Sequence, residues 1–117
     1  LVVINDSTPE KLEQEIKSAG FFIIEQPTVV EFMSPSCMAC IYSRPTVSAM
    51  KDKFSHQVDF IVVNVKESEA MDLVLKYKVR STPTFIMFGS DGLEKTRFSG
   101  LARSKVMQES IEMILEN

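Results

Sequence analysis

The stretch Thr28-Val29-Val30-Glu31-Phe32-Met33-Ser34-Pro35-Ser36-Cys37-Met38-Ala39-Cys40 decides how the rest of the chain is read. From Val29 to Met33 it is apolar on both faces except for Glu31. That pattern suits a strand in the middle of a covered sheet better than one in an exposed hairpin. Ser34-Pro35-Ser36 breaks the strand, and Cys37 stands where a helix begins. The helix is expected to run to about Ser55, with Pro45 inside it as a kink. Strand, turn and helix thus present a C-x-x-C pair at a helix start.

Working outward, Leu1-Val2-Val3-Ile4 reads as a strand and Asn5 to Glu10 as punctuation. Pro9 fits a first helical position behind Thr8 as N-cap, Leu12 and Ile16 share a face, and Gly20 stops that helix. Phe21 to Ile24 fits a strand or other buried chain equally well. Downstream, Val58 to Val65 reads as a strand. Ser68 to Lys78 reads as a helix with Met71, Val74 and Leu75 on one side. Thr84 to Phe88 is a strand directly after Pro83, and Gly89-Ser90-Asp91-Gly92 turns the chain back into Leu93 to Ser99. Ser104 to Glu116 forms a terminal helix. Helices between strands lead us to expect parallel crossovers, with the hairpin adding an antiparallel pair at one side. The fold class is therefore α/β, a mixed central β-sheet flanked by helices on both faces. One domain is expected over residues 1–117. The sequence opens inside a strand without an initiator Met, so a processed start, with a signal peptide or anchor removed, is one expectation.

Composition narrows the function classes. A chain of 117 residues with 44% hydrophobic and 25% charged residues is long and apolar enough to bury a core. A net charge of -3 argues against nucleic acid as a partner, because phosphate binding needs clustered Lys and Arg. No apolar run approaches the roughly 20 residues of a membrane span. Two cysteines are too few for a disulfide scaffold, and with His56 as the single histidine they form a thin zinc-ligand set. The seven methionines are dispersed and read as core filling. No metal or cofactor is expected.

At a helix start, unpaired backbone N–H groups and the helix dipole favour a thiolate on Cys37, lowering its pKa below the free value of about 8.5. Cys40 lies on the same face one turn deeper, near enough to close a disulfide but less exposed. Cys37 then attacks and Cys40 resolves the mixed disulfide. Three other readings fit the pair alone: half of a zinc site, a structural disulfide that closes too small a loop to stabilise much, or two small buried hydrophobes. Glu31 is read as a buried carboxyl whose pKa rises and which takes the Cys40 proton, against the plainer reading of a surface Glu at a frayed edge.

The segment from Val29 to Cys40 resembles the active-site segment of thioredoxins. The resemblance extends through Pro45, Ser81-Thr82-Pro83-Thr84, Asp91-Gly92 and Gly100, and covers nearly the whole chain from Val2. It implies a thioredoxin-like fold and protein-disulfide oxidoreductase activity that relays electrons between proteins. It also implies that Pro83 is the family's cis-proline packed beside the cysteines. The Thr82 backbone would pair with a bound substrate strand, and Gly100 and Leu101 would complete the apolar groove around the nucleophile. Glu31 stands where thioredoxins usually carry a buried Asp. The implied partners are a disulfide-containing protein substrate and a redox partner, either a reductase or an oxidase. A monomer is expected.

Departures from the family pattern point to a variant member. Thioredoxins place Trp at the positions of Met33 and Ser36, typically place Gly-Pro where Met38-Ala39 stands, and often carry a buried Lys at Val62. Ala39 restores an N–H that Pro lacks, which is expected to stabilise the thiolate and make the disulfide more oxidising. Met38 offers partners a flexible apolar surface. Phe21 to Gln26 resembles an insertion without an assigned role. Arg80, close to the Pro83 loop, is by default a surface residue, with an influence on partner choice as the alternative. The expected function is disulfide reduction or redox homeostasis in the cytoplasm. The alternatives are an exported oxidant or isomerase, and a protein-binding module that presents the Pro83 groove with incidental redox activity.

Overall fold

Strand β2 (Thr28–Met33) is the axis of the sheet, hydrogen-bonded on both sides. The computed structural model describes residues 2–3 and 24–116, with β1 (Val2–Val3), α1 (Met38–Phe54) and β3 (Asp59–Asn64). A 3-10 turn (Ser68–Ala70) leads into α2 (Met71–Lys76), followed by β4 (Thr84–Phe88), β5 (Glu94–Ser99) and α3 (Ser104–Leu115). The strand order is β1-β3-β2-β4-β5. Strand β2 runs parallel to β3 and antiparallel to β4. Both edge strands are antiparallel to their neighbours. The fold is a mixed α/β sheet of the thioredoxin type, as the sequence leads one to expect.

Successive side chains of a strand point to opposite faces, so the buried strands feed two cores. On one face Val29, Phe60, Phe85 and Met87 pack with Val47, Met50 and Phe54 of α1. Met107, Ile111 and Ile114 of α3 complete that layer, at spacings of four and three that put them on one helical stripe. On the other face Val30, Phe32, Ile86 and Phe88 pack against Leu73 of α2. Each such side chain contributes about 1.5–3 kcal/mol on burial. Phe32 and Phe88 also meet the Tyr77 ring, at centroid distances of 6.5 and 5.4 Å.

The expected strands and the three helices from Met38 onward are present with small shifts at their ends. The helix expected between Pro9 and Gly20, and the run Phe21 to Ile23, lie outside the described residues. The expectation of parallel crossovers holds for β2–α1–β3 and fails for α2, which joins strands of opposite direction. Helix α2 is too short to carry the chain across the sheet. Lys78 then adopts a left-handed φ of 54°, and the Val79 N–H returns to the Val74 carbonyl at 3.0 Å. The chain therefore re-enters the sheet at the end it left. The hairpin forms as expected, with Gly92 at φ 80° and its N–H donating to the Gly89 carbonyl.

Candidate active site

Two chain breaks at the same end of the sheet build the site: the turn after β2 and the loop before β4. In the first, Ser34 accepts the Cys37 N–H at 3.1 Å, which folds Pro35 and Ser36 into a tight turn. Cys37 keeps an extended backbone (φ -83°, ψ 110°) and serves as N-cap of α1. Its Sγ accepts the Cys40 N–H at 3.1 Å, so sulfur occupies the position that a Ser or Asp oxygen fills at other helix starts. Cys37 and Cys40 form a disulfide with their Cα atoms 5.2 Å apart. The N–H that reaches the sulfur belongs to Cys40, a donor present whether residue 39 is Ala or Pro. The expected contribution of Ala39 is therefore not the bond that forms.

The two sulfurs differ in surroundings. Cys37 is half-buried and borders an open groove together with Ser36, Lys66, Arg80 and Thr82. Cys40 is buried and borders a separate cavity of about 420 Å³, shared with Glu31, Met33, Arg44 and Val62. Glu31 is only 8% exposed, held between Val62 of β3 and Phe85 of β4. Burial pushes its carboxyl up to about 7, with the Arg44 guanidinium pulling weakly the other way. A carboxyl at that value exchanges its proton near neutral pH.

The loop before β4 reaches the groove through Thr82, and the Thr82–Pro83 peptide is cis. Pro83 is buried, and its carbonyl accepts the Gly100 N–H at 2.9 Å, which ties the two loops together. Gly100 has a φ of 95° and Leu101 is exposed, but neither lines the groove beside Cys37. Met38 is 56% exposed on the first turn of α1, next to exposed Ile41 and Tyr42.

The family profile described as Thioredoxin matches residues 3–113. The chain belongs to the thioredoxin family. It is 29% identical over 97% of its length to the chloroplastic M-type thioredoxin of Brassica napus, covering 58% of that protein. It is 26% identical over 77% of its length to a Synechocystis thiol:disulfide interchange protein TxlA homolog, covering 50% of that protein. Among solved structures it resembles Fasciola hepatica thioredoxin with a TM-score of 0.69 and 30% identity, covering 90% of this chain and 92% of that one. The chain thus spans about half the length of the first two relatives, and it carries the C-x-x-C pair of the family's protein-disulfide oxidoreductases.

Where thioredoxins carry Trp, this member has Met33 in the wall of the cavity and exposed Ser36 beside the groove. Val62 lines the cavity where many thioredoxins place a Lys, and the cation facing Glu31 comes instead from α1, as Arg44. One supporting residue had no sequence signal. Ser43 is fully buried, donates to the Ala39 carbonyl at 2.6 Å and accepts the Ala102 N–H at 2.9 Å. It joins the helix that carries the cysteines to the loop after Gly100. The four-residue back-bond is a local habit of Ser in helices, but its second partner lies 59 residues away. Among the described residues no helix is long and apolar enough to cross a membrane, and no group of three His, Cys, Asp or Glu is placed to hold a metal.

Proposed function

We propose that this chain acts as one monomeric domain, a thiol-disulfide oxidoreductase that reduces disulfides in partner proteins. The observation that carries this reading is the division between the sulfurs: Cys37 half-open at a helix N-cap, Cys40 buried beside Glu31. In the reduced protein the Cys37 thiolate attacks one sulfur of the partner disulfide. This forms a Cys37–partner disulfide and expels the other partner sulfur as a thiolate. Glu31, as carboxylate, takes the Cys40 proton directly or through water in the cavity. The Cys40 thiolate then displaces the second partner sulfur and closes the Cys37–Cys40 bond. Two electrons pass to the partner, and a second protein's dithiol restores the starting state.

Thr82 is assigned to pair through its backbone with the incoming strand, supported by an N–H and a carbonyl that have no partner among the described residues. Exposed Met38 and Leu101 are assigned to partner contact outside the groove, and Pro83 and Gly100 to holding the two loops behind it through the Gly100 N–H to Pro83 carbonyl bond. The decisive test is insulin reduction with a dithiol as electron source. Wild type is expected to turn over, Cys37→Ser to lose at least about 1,000-fold, and Cys40→Ser to accumulate a mixed disulfide through Cys37. Partner binding that survives replacement of both cysteines, with no turnover by wild type, would establish a binding module in its place.

The direction proposed is reduction, with residence in the cytoplasm. Equilibration with glutathione buffers checks it. A potential near about -270 mV supports the reductant, and one near about -120 mV would make the chain an exported oxidant.

A further inference from the structure

The groove beside Cys37 carries a local charge opposite to that of the whole chain. The protein has a net charge of -3, yet the two ionisable side chains among the groove's described lining residues, besides Cys37 itself, are Lys66 and Arg80. Both are exposed, and neither forms an ion pair or a side-chain hydrogen bond with a described residue. They approach from different segments, Lys66 just after β3 and Arg80 just before the Thr82–Pro83 loop. The acidic residues of the intervening segment, Glu67, Glu69 and Asp72, do not line the groove. Val65, Val74 and Val79 supply an apolar floor, and Ser36 and Thr82 add hydroxyls.

We propose that Lys66 and Arg80 make this groove select protein substrates that carry Asp or Glu within two residues of the disulfide cysteine. The proposal rests on the oxidoreductase reading above, and it names the substrate class of that same site. An extended chain rises about 3.3 Å per residue, so a carboxylate two residues from the cysteine stands about 7 Å away, inside the Debye length of about 8 Å at physiological salt. A substrate bringing acidic side chains to the mouth of the site meets the Cys37 thiolate and an overall negative protein. Two cations with no ion pair among the described residues turn that repulsion into attraction where the strands meet. Such complementarity acts mainly on encounter and choice of partner, and salt screens it. An uncharged substrate gains nothing from either residue.

The test uses the whole reduced chain and three disulfide-linked peptides that differ only in the residues flanking the cysteine: Asp, Asn or Lys. The rates are expected to fall in that order, spanning about 10-fold at low ionic strength and about 3-fold at 0.15 M. The double variant Lys66→Glu with Arg80→Glu is expected to invert the order. Arg80→Lys is expected to keep it. Both positions are exposed, and an unchanged unfolding midpoint verifies that the variants fold. The neutral 2-hydroxyethyl disulfide serves as control, since its rate should be the same in all variants. Equal rates for the three peptides, or a preference that survives charge reversal, would overturn the proposal while leaving the oxidoreductase intact. An equal slowing of the neutral disulfide would overturn it too, since the cations would then act on the thiolate. No reaction with any of the disulfides would remove the oxidoreductase reading, and this proposal with it.

Discussion

Cys37 and Cys40 sit one helical turn apart, yet they face two different media. In front of Cys37 lies an open groove with cations, hydroxyls and an apolar floor. Behind Cys40 lies a cavity whose acidic group is buried in the central strand, between β3 and β4. The front is made of exposed side chains such as Met38, Tyr42, Lys66 and Arg80, which pack little against anything. The back is made of groups the fold already holds: Glu31, Cys40 and, beneath the same turn, Ser43. Substitutions at the back should therefore change stability and the proton step together. Those at the front should change partner choice and leave stability nearly untouched.

Glu31→Gln tests the back most severely. Burial disfavours the anion and pushes its carboxyl up to about 7 in the fold, from an ordinary value of 4.5. Below pH 4.5 it is protonated in folded and unfolded states, and its ionisation costs the fold nothing. As pH rises from 4.5 to about 7 the unfolded state has already released its proton while the folded state still holds it, so the fold loses stability across that window and no further above it. The shift corresponds to about 3 kcal/mol at pH 8. Gln cannot ionise, so the variant should be more stable than wild type by up to that amount at pH 8 and equal to it near pH 4, as read by denaturant unfolding. The same variant lacks the proton acceptor. Decay of the mixed disulfide, which in wild type should accelerate as pH rises through about 7, should slow by about 100-fold and lose that pH dependence. A variant that is more stable and slower would separate the two roles of one carboxyl.

Ser43→Ala comes next in size. It leaves the buried Ala102 N–H without its acceptor and frees the Ala39 carbonyl, at a cost of about 1–3 kcal/mol. The unfolding midpoint should fall accordingly. Reduction of a small neutral disulfide should fall much less, because neither sulfur is touched. A midpoint equal to that of wild type would mean that water replaces the hydroxyl.

These two positions mark what the sequence made legible. Glu31 stood out because it interrupts an apolar run, and a charge in such a run must be either exposed or perturbed. The Cys37 cap was legible because Ser-Pro-Ser ends one element where the next begins. Ser43 was not, since its distant partner is a backbone N–H and carries no sequence signature. The path of α2 was hidden for a related reason. The chain turns back at Lys78, a residue with no preference for the left-handed conformation it adopts. Arg80 reads from the sequence as a surface residue near the Pro83 loop, with partner choice as the alternative, and Lys66 carries no signal of its own. That they share a groove depends on which end of the sheet receives both loops.

Gly100→Ala probes the seam between front and back. At φ 95° an L-residue is strained, although a Cβ there would meet nothing within 4 Å. The cost is therefore conformational, about 1–2 kcal/mol, and the bond from its N–H to the Pro83 carbonyl should weaken with it. Gly100→Asn, which tolerates this region better, should recover part of the loss.

The smallest effect on stability belongs to Met38→Ser, and it is the sharpest probe of the front. Met38 is 56% exposed, so replacing it should move the unfolding free energy by no more than about 0.5 kcal/mol. Its thioether lies on the first turn of α1, beside the sulfur that a partner must approach. A protein partner docking around Cys37 would cover it, whereas a small disulfide need not. Reduction of insulin should slow several-fold while reduction of 2-hydroxyethyl disulfide stays at the wild-type rate. Equal slowing of both would place Met38 with the chemistry of the thiolate. No slowing of either would mean that partners dock by the Lys66 and Arg80 side alone, and the front would then be half as wide as its exposed apolar residues suggest.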